Sequence, residues 1–443
     1  MDHLAEAGLS IEGGPAAVKV DFERVMERVR EVRAEISHHD SAERFTKELG
    51  VELFIGRGKF SSDRTVVVNG RTLTFKRAVV ATGGYPTLVP VPGIKELHKK
   101  SIAPTTTDQP VPLVMTNETI FNMTKQPKNL VVIGAGVIGL ELAQSMQRLG
   151  TSVTVLGRSG KVLPKEDQDM AMLVRDQMTK DGVTFQLTVS KYENVELTGK
   201  VLDNGYPEMK VTIEVKGKDG KEEILCDGLL VAAGRRPNVT GMDLEKAGVE
   251  YDSKIGLKVS DKLQTTNSRV YGVGDCCSEY KFTHAADFMA RAVIKNAFFF
   301  GKERMSDLLI PYCTFTTPEI ASVGLYGADL DEQGIEYRVI EKHFKDNDRA
   351  ICDSTTTGFV RFRVDSKTDK ILGASIVGQN AGNMISEVTL AMKSGTGLGK
   401  LAYVIHPYPT TAEVIRQAGD VYNKTRLTNK VKQLLRGVIK LKN

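Results

Sequence analysis

Residues 129–159 read NLVVIGAGVIGLELAQSMQRLGTSVTVLGRS, and they carry the clearest fold signal in the chain. Asn129–Ile133 is a short β-branched run, and Gly134, Gly136 and Gly139 follow it at G-x-G-x-x-G spacing. Residues 137–149 have helical periodicity, and Ser152–Leu156 is a second apolar strand. A glycine triplet between a strand and a helix, with a further strand beyond, is the context that gives this motif its meaning. The first glycine permits a tight turn, the second lets a pyrophosphate approach the backbone, and the third lets helix and strand pack closely. Free N–H groups at the helix start then face the phosphate.

After the second strand a site for the unphosphorylated dinucleotide places Asp or Glu against the ribose hydroxyls. Here that stretch is Gly157, Arg158, Ser159, Gly160, Lys161, with no carboxylate. A carboxylate repels a 2′-phosphate, whereas Arg158 offers a planar donor fork and Lys161 a second positive charge. NADPH is therefore expected over NADH. The competing reading makes these two residues solvated loop cations.

Outward from this stretch, 443 residues at 41% apolar content imply two or three domains. A net charge of +5 without a long Lys/Arg block argues against a nucleic-acid partner. No run approaches the ~18 uninterrupted apolar residues of a membrane span, and no membrane partner is expected. The opening MDHLAEAGLSIEGG has no signal-peptide or presequence pattern, so the chain as it stands reads as cytoplasmic, an organelle remaining open for a longer precursor. Five cysteines (Cys226, Cys276, Cys277, Cys313 and Cys352) include no C-x-x-C, and the odd number argues against a disulfide framework. Adjacent Cys276 and Cys277 could bind a soft metal, but adjacent side chains point apart in a strand and free Cys is often a small buried apolar residue. No metal site is assigned.

Residues 20–37 alternate charges at helical spacing, with Phe22, Val25, Met26, Val29 and Val32 on one stripe, which predicts a long and mostly exposed helix. Strands are expected at 52–56, 64–68, 73–75 and 77–81, ending on Thr82, Gly83 and Gly84. VVATGG at 79–84 is echoed by LVAAGRRPN at 230–238, with strand-like material at 183–189, 210–215 and 224–231 before the second phrase. Two similar dinucleotide domains, the second inserted into the first, produce this order. The first resumes with Gln264, Thr265, Thr266 and VYGVGD at 270–275.

These phrases together resemble the pyridine nucleotide-disulfide oxidoreductases, a flavoprotein family, from about Val20 onward and in the family's order. The resemblance implies FAD and NADPH as cofactors. ATGG, with Thr82 and Gly83, matches the family's strand end over the flavin, and AAGRRPN, with Gly234 and Arg235, matches the closing strand of the nicotinamide domain. Asp275, after Gly274, matches the partner of the FAD ribityl chain. Glu141 matches the residue that the family places beside the nicotinamide.

From about residue 310 the pattern becomes antiparallel, with helices expected at 381–394 and 410–422. It resembles the family's interface domain, which implies a homodimer with an active site completed across it. In HPYPTTAE, 406–413, dithiol-using members carry a His five positions before the Glu, as base, with the carboxylate orienting it. Here that position is Tyr408, with Glu413 as the carboxylate, and His406 stands two positions early. A phenol with an ordinary pKa near ~10 is a poor base but an adequate hydrogen-bond donor. Tyr408 and the cationic stretch resemble the mercuric reductase-like branch, implying a thiol-bound acceptor such as Hg(II) or a disulfide. A dihydrolipoyl dehydrogenase-like enzyme with His406 as base stays open, as does a non-catalytic NADPH-binding dimer.

Three departures qualify the match. The C-terminal vicinal Cys pair, the redox C-x-x-x-x-C and the first G-x-G-x-x-G are not in the sequence. The expectation is a chain that begins inside the FAD domain. The fold class is α/β: two doubly wound dinucleotide-binding domains, the NAD(P) domain inserted in an incomplete FAD domain, plus a C-terminal α+β dimerisation domain. The boundaries are a partial FAD domain at 1–125, an NAD(P) domain at 126–240, the FAD domain continued at 241–309, and the interface domain at 310–443.

Overall fold

The computed structural model describes residues 19–102 and 113–442; the N-terminal stretch quoted above lies outside them. In chain order the elements are α1 (Phe22–Ser37), β1 (Lys59–Ser62), β2 (Thr65–Val68), β3 (Arg71–Thr74), β4 (Ala78–Val80), β5 (Gly84–Pro86) and α2 (Ile94–Ile102). Next come β6 (Val114–Met115), β7 (Asn129–Ile133), α3 (Val137–Arg148), β8 (Ser152–Leu156), α4 (Gln168–Lys180), β9 (Thr184–Gln186) and β10 (Val189–Val201). They continue through β11 (Pro207–Val215), β12 (Lys221–Cys226), β13 (Gly228–Val231), β14 (Arg235–Pro237), β15 (Tyr251–Asp252), β16 (Gly256–Leu257), β17 (Val270–Gly272) and α5 (Thr283–Phe298). The last group is β18 (Tyr312–Thr314), β19 (Glu319–Gly324), β20 (Tyr337–His343), β21 (Phe359–Asp365), β22 (Ile371–Gly378), α6 (Ala381–Lys393), α7 (Glu413–Thr425) and α8 (Asn429–Lys442).

These elements gather into two compact units. One is formed by Val20–Gly160 with Thr184–Leu308, the other by Lys161–Val183 with Leu309–Asn443.

The first unit is built on a five-stranded parallel sheet of order β6-β13-β7-β8-β9. β7 lies at its centre, and Leu130, Val131, Val132 and Ile133 are all buried, as a strand covered on both faces requires. At ~1.5–3 kcal/mol for each large apolar side chain, these four contribute about 6–12 kcal/mol of burial. An antiparallel sheet β10-β11-β12 sets Val195, Met209, Val211 and Ile213 in one core with Val131, Ile133, Leu229 and Val231.

The single strand expected over 224–231 is two strands, broken at Asp227. That buried carboxylate accepts the backbone N–H groups of Lys128 and Asn129 at 2.8 and 2.7 Å and Asn204 Nδ2 at 2.6 Å, which satisfies its charge where β7 begins. The strand expected at 52–56 does not form; Ile55 is exposed, and the antiparallel sheet beside this segment is β1-β2-β3. α1 starts where Asp21 Oδ1 accepts the Arg24 N–H at 3.0 Å. Of its expected apolar stripe only Phe22 and Met26 are buried.

β4 and β17 form a parallel pair, a smaller counterpart of β13 and β6. β13 also has β7 on its other side, whereas among the described residues β4 pairs with β17 alone. The consequence is visible in exposure: Leu230 of β13 is 0% exposed and Val79 of β4 is 47% exposed.

The second unit is a five-stranded antiparallel sheet, β18-β19-β22-β21-β20. Phe362, Ile376, Ile385, Val388, Val414 and Tyr422 share its core, so α6 and α7 bury their apolar faces there. The sheet also carries a buried ionic cluster. Arg363, 2% exposed, binds Asp167 and donates to Ser375 Oγ at 3.2 Å. Arg361 pairs with Asp167 and Glu341 at 2.7 Å each and with Asp169. Glu166, also buried, accepts the Tyr326 hydroxyl at 2.5 Å.

Candidate functional site

The turn after β7 is shaped by contacts that exclude side chains. Gly134 has φ +123°, a region open to glycine, and a Cβ there would lie 2.4 Å from Ala232 O. A Cβ at Gly139 would lie 2.0 Å from Gly134 O, so α3 sits against the turn as the third glycine allows. At Gly136, the N-cap of α3, a Cβ would meet nothing within 4 Å, and no side chain caps the helix. Open space therefore faces the first N–H groups of α3, which have no partner within their own helix. A turn of this form can accept a phosphate, with the positive end of the helix behind it.

β8 delivers the cationic residue to the same place. Gly134 N–H donates to Leu156 O at 2.9 Å, and a Cβ at Gly157 would come 3.4 Å from Ala135 Cβ, so the end of β8 abuts the turn. Arg158 and Ser159 follow and are exposed. Arg158 acts on Tyr192 of β10: burial pushes that phenol up to about 12, and the Arg158 guanidinium acts against the rise. Tyr192 had no signal in the sequence. Glu141, half-buried, lies one turn along α3. The residues present fit a phosphorylated dinucleotide, since they combine an open glycine turn, an uncapped helix start and a guanidinium with no opposing carboxylate in 157–161.

The two echoed phrases meet. β5 pairs antiparallel with β14, Arg235 opposite Pro86 and Pro237 opposite Gly84. Thr82 Oγ1 donates to Asn238 O at 2.6 Å, and Asn238 N–H donates to Gly83 O at 2.9 Å. Arg235 donates to Gly84 O at 2.8 Å and to Asp275 Oδ2 at 3.2 Å. Gly234 and Gly274 take positive φ at the ends of these phrases. Thr82, Gly83, Gly234, Arg235, Gly274 and Asp275 thus belong to one junction, whose side chains are largely engaged with one another.

As a flavin site this junction is one wall. The parallel sheet of the nicotinamide half has β7, its glycine turn and α3 beside β13; nothing equivalent stands beside β4 among the described residues. The described residues do not complete a site for FAD, whose pyrophosphate needs such a cradle. Cys276 and Cys277 turn their thiols onto backbone carbonyls. Cys276 Sγ donates to Val80 O at 3.3 Å and Val273 O at 3.2 Å, and Cys277 Sγ donates to Gly274 O at 3.5 Å. No group of three or more His, Cys, Asp or Glu among the described residues is placed to hold a metal ion.

In the second unit, HPYPTTAE divides into separate pairings. Tyr408 is exposed, and its hydroxyl donates to Asp348 Oδ2 at 2.9 Å; that carboxylate raises the phenol's pKa and makes it a weaker acid still. Glu413 pairs with Arg416 at 2.6 Å. His406 places Nε2 3.1 Å from Glu387 of α6 and Nδ1 3.0 Å from Val404 O. The carboxylate that orients the imidazole is Glu387, not Glu413. Asp348 and Glu387 stand 60 and 19 residues from their partners, so local spacing carried no trace of either.

A glycine-turn nucleotide fold followed by an antiparallel sheet packed under two helices is the order in which a known family is built. The chain belongs to the pyridine nucleotide-disulphide oxidoreductase family, matched over residues 10–290, and carries that family's dimerisation domain at 310–419. Members of this family use FAD and NAD(P)H. The chain is similar to a mercuric reductase of Bacillus cereus, 32% identical over 424 residues, which are 96% of this chain and 63% of that protein. It is 33% identical over 431 residues to a dihydrolipoyl dehydrogenase of Cupriavidus necator, covering 96% of this chain and 84% of that one. Its fold matches that of the HOCl-induced flavoprotein disulfide reductase RclA from Escherichia coli with a TM-score of 0.77, at 24% identity over 91% of this chain and 86% of that one. The chain spans just under two thirds of the length of the mercuric reductases it matches.

Proposed function

We propose that the chain binds NADPH at Gly134, Gly136, Gly139 and Arg158 and contributes this half-reaction to a homodimeric flavoprotein oxidoreductase of the mercuric reductase-like branch. Its acceptor is then a thiol-bound soft metal such as Hg(II), or a disulfide. Bound NADPH supplies a hydride. The chain's own residues hold the carrier: the open turn and the α3 N–H groups take the pyrophosphate, and Arg158 takes the 2′-phosphate as a charge-assisted donor. The carrying observation is the position of Arg158, one residue past a Gly157 that abuts the glycine turn, with no carboxylate in 157–161. Tyr408 supports the branch, because a phenol held by Asp348 is a donor rather than a base.

A second reading, a dihydrolipoyl dehydrogenase-like enzyme, is favoured by the His406–Glu387 pair, which has the imidazole–carboxylate form of an acid–base couple. A third, NADPH binding and dimerisation without catalysis, is favoured by β4 having, among the described residues, no strand on the side away from β17. Equilibrium dialysis followed by assay separates them. NADPH oxidation that depends on Hg(II) supports the first reading, oxidation of a dihydrolipoyl dithiol with NAD supports the second, and NADPH uptake with no retained flavin supports the third.

A further inference from the structure

The C-terminal helix α8 stands apart from everything used so far. The family's dimerisation match ends at residue 419, and α8 begins ten residues later at Asn429. Every described side chain of α8 is exposed, Leu434 at 69% and Leu441 at 89% among them. Yet the helix is not polar all round. Leu427, Val431, Leu434, Leu435 and Val438 recur at the i, i+4, i+7, i+8, i+11 spacing of one apolar stripe. Lys432, Arg436 and Lys440, four residues apart, line the other side.

The charge is one-sided in sequence as well. From Val421 onward there are seven Lys or Arg and no Asp or Glu, which exceeds the +5 of the whole chain. The rest of the molecule is therefore slightly negative, and its cationic excess is concentrated in this terminal segment.

We propose that α8 docks the chain onto an anionic lipid surface, lying in the plane of the interface with its leucine stripe in the acyl boundary and its cations at the headgroups. Short length and high charge exclude a span: 14 residues make about 21 Å of helix, against a hydrocarbon core of roughly 30 Å. No described helix is long and apolar enough to cross a membrane. A basic amphipathic helix with aliphatic residues opposite its cations is the pattern that binds at the interface. A second copy of α8 is a poor occupant, because it covers the leucine stripe but brings no acid for the cations on the opposite side, which an anionic surface supplies. The expectation of no membrane partner rests on the lack of a spanning run, and a helix bound at the surface needs none.

The test is co-sedimentation of the full chain with phosphatidylcholine vesicles, with and without phosphatidylserine, at about 0.1 M salt so that only close charges count. Partition onto the serine-containing vesicles is expected to be roughly tenfold stronger or more, given the attraction of several cations to an anionic surface. Lys432→Glu with Arg436→Glu should abolish that difference, and Leu434→Ser with Leu435→Ser should weaken binding to it several-fold. The substituted side chains are exposed, so the folded core is untouched. Equal partition onto both vesicle types, or partition that ignores both double variants, overturns the proposal. So does a self-association in sedimentation equilibrium that Leu434→Ser with Leu435→Ser removes while vesicles bind nothing.

Discussion

Arg235 Nε donates to Asp275 Oδ2 at 3.2 Å, joining the phrase that closes β13 to the phrase that follows β17. Both side chains are mostly buried, 23% and 16% exposed, so the pair is shielded from solvent. Arg235→Gln leaves the Asp275 carboxylate without its cation and should cost about 1–3 kcal/mol of unfolding free energy. Urea unfolding of Arg235→Gln, Asp275→Asn and the double variant checks this. Strong non-additivity is expected, and strictly additive effects would show that the two groups do not interact.

Gly139→Ala tests the packing that shapes the phosphate cradle. Its Cβ would lie 2.0 Å from a backbone oxygen, Gly134 O, so α3 must move away from the turn. Stability should fall by about 1–3 kcal/mol, as for overpacked cores. NADPH affinity should fall at least tenfold with it, since the α3 N–H groups move as a unit. Gly136→Ala faces open space and should fold normally, showing a loss in the NADPH titration alone.

The buried cluster on the interface sheet gives a pH-dependent expectation. Burial raises the Glu166 carboxyl above its ordinary 4.5, against the lowering effect of the Tyr326 hydroxyl bond. A carboxyl with a raised folded-state pKa contributes stability that is complete at low pH and is lost as pH climbs through the folded value. Glu166→Gln should therefore compare unfavourably with the native chain near pH 4 and improve relative to it as pH rises above the ordinary value. Melting temperatures of both proteins across pH 4 to 8 decide it, and a constant difference would refute the burial argument. Arg363→Ala, which strips Asp167 of a buried partner, should cost about 3 kcal/mol or more at neutral pH.

Much of the nucleotide half was legible in the residues. The strands expected at Asn129–Ile133 and Ser152–Leu156 are β7 and β8, because apolar runs closed by glycine leave no other register. The helix expected over 137–149 ends at Arg148, and the one expected over 20–37 starts at Phe22, where Asp21 caps it. Boundaries failed where a tertiary bond ruled. Asp227 splits one expected strand in two by binding the start of β7. The helix expected over 410–422 begins at Glu413, with Thr410 held in the loop as its carbonyl accepts Asn347 Nδ2 at 3.1 Å. The pairings of the candidate site were least legible. Glu387 against His406, and Asp348 against Tyr408, depend on where the loop before α7 passes α6 and the helical turn at Asp348, which no local pattern encodes.

The most direct test is titration of the full chain with NADPH and NADH, followed by intrinsic or nucleotide fluorescence, for the native protein and for Arg158→Glu. Saturable NADPH binding is expected, with a preference over NADH of roughly tenfold or more, the value of one or two charge-assisted hydrogen bonds to the 2′-phosphate. Arg158→Glu should erase that preference and leave NADH binding little changed. Equal affinity for the two nucleotides in the native chain, or an NADPH titration that charge reversal at Arg158 does not alter, would contradict it.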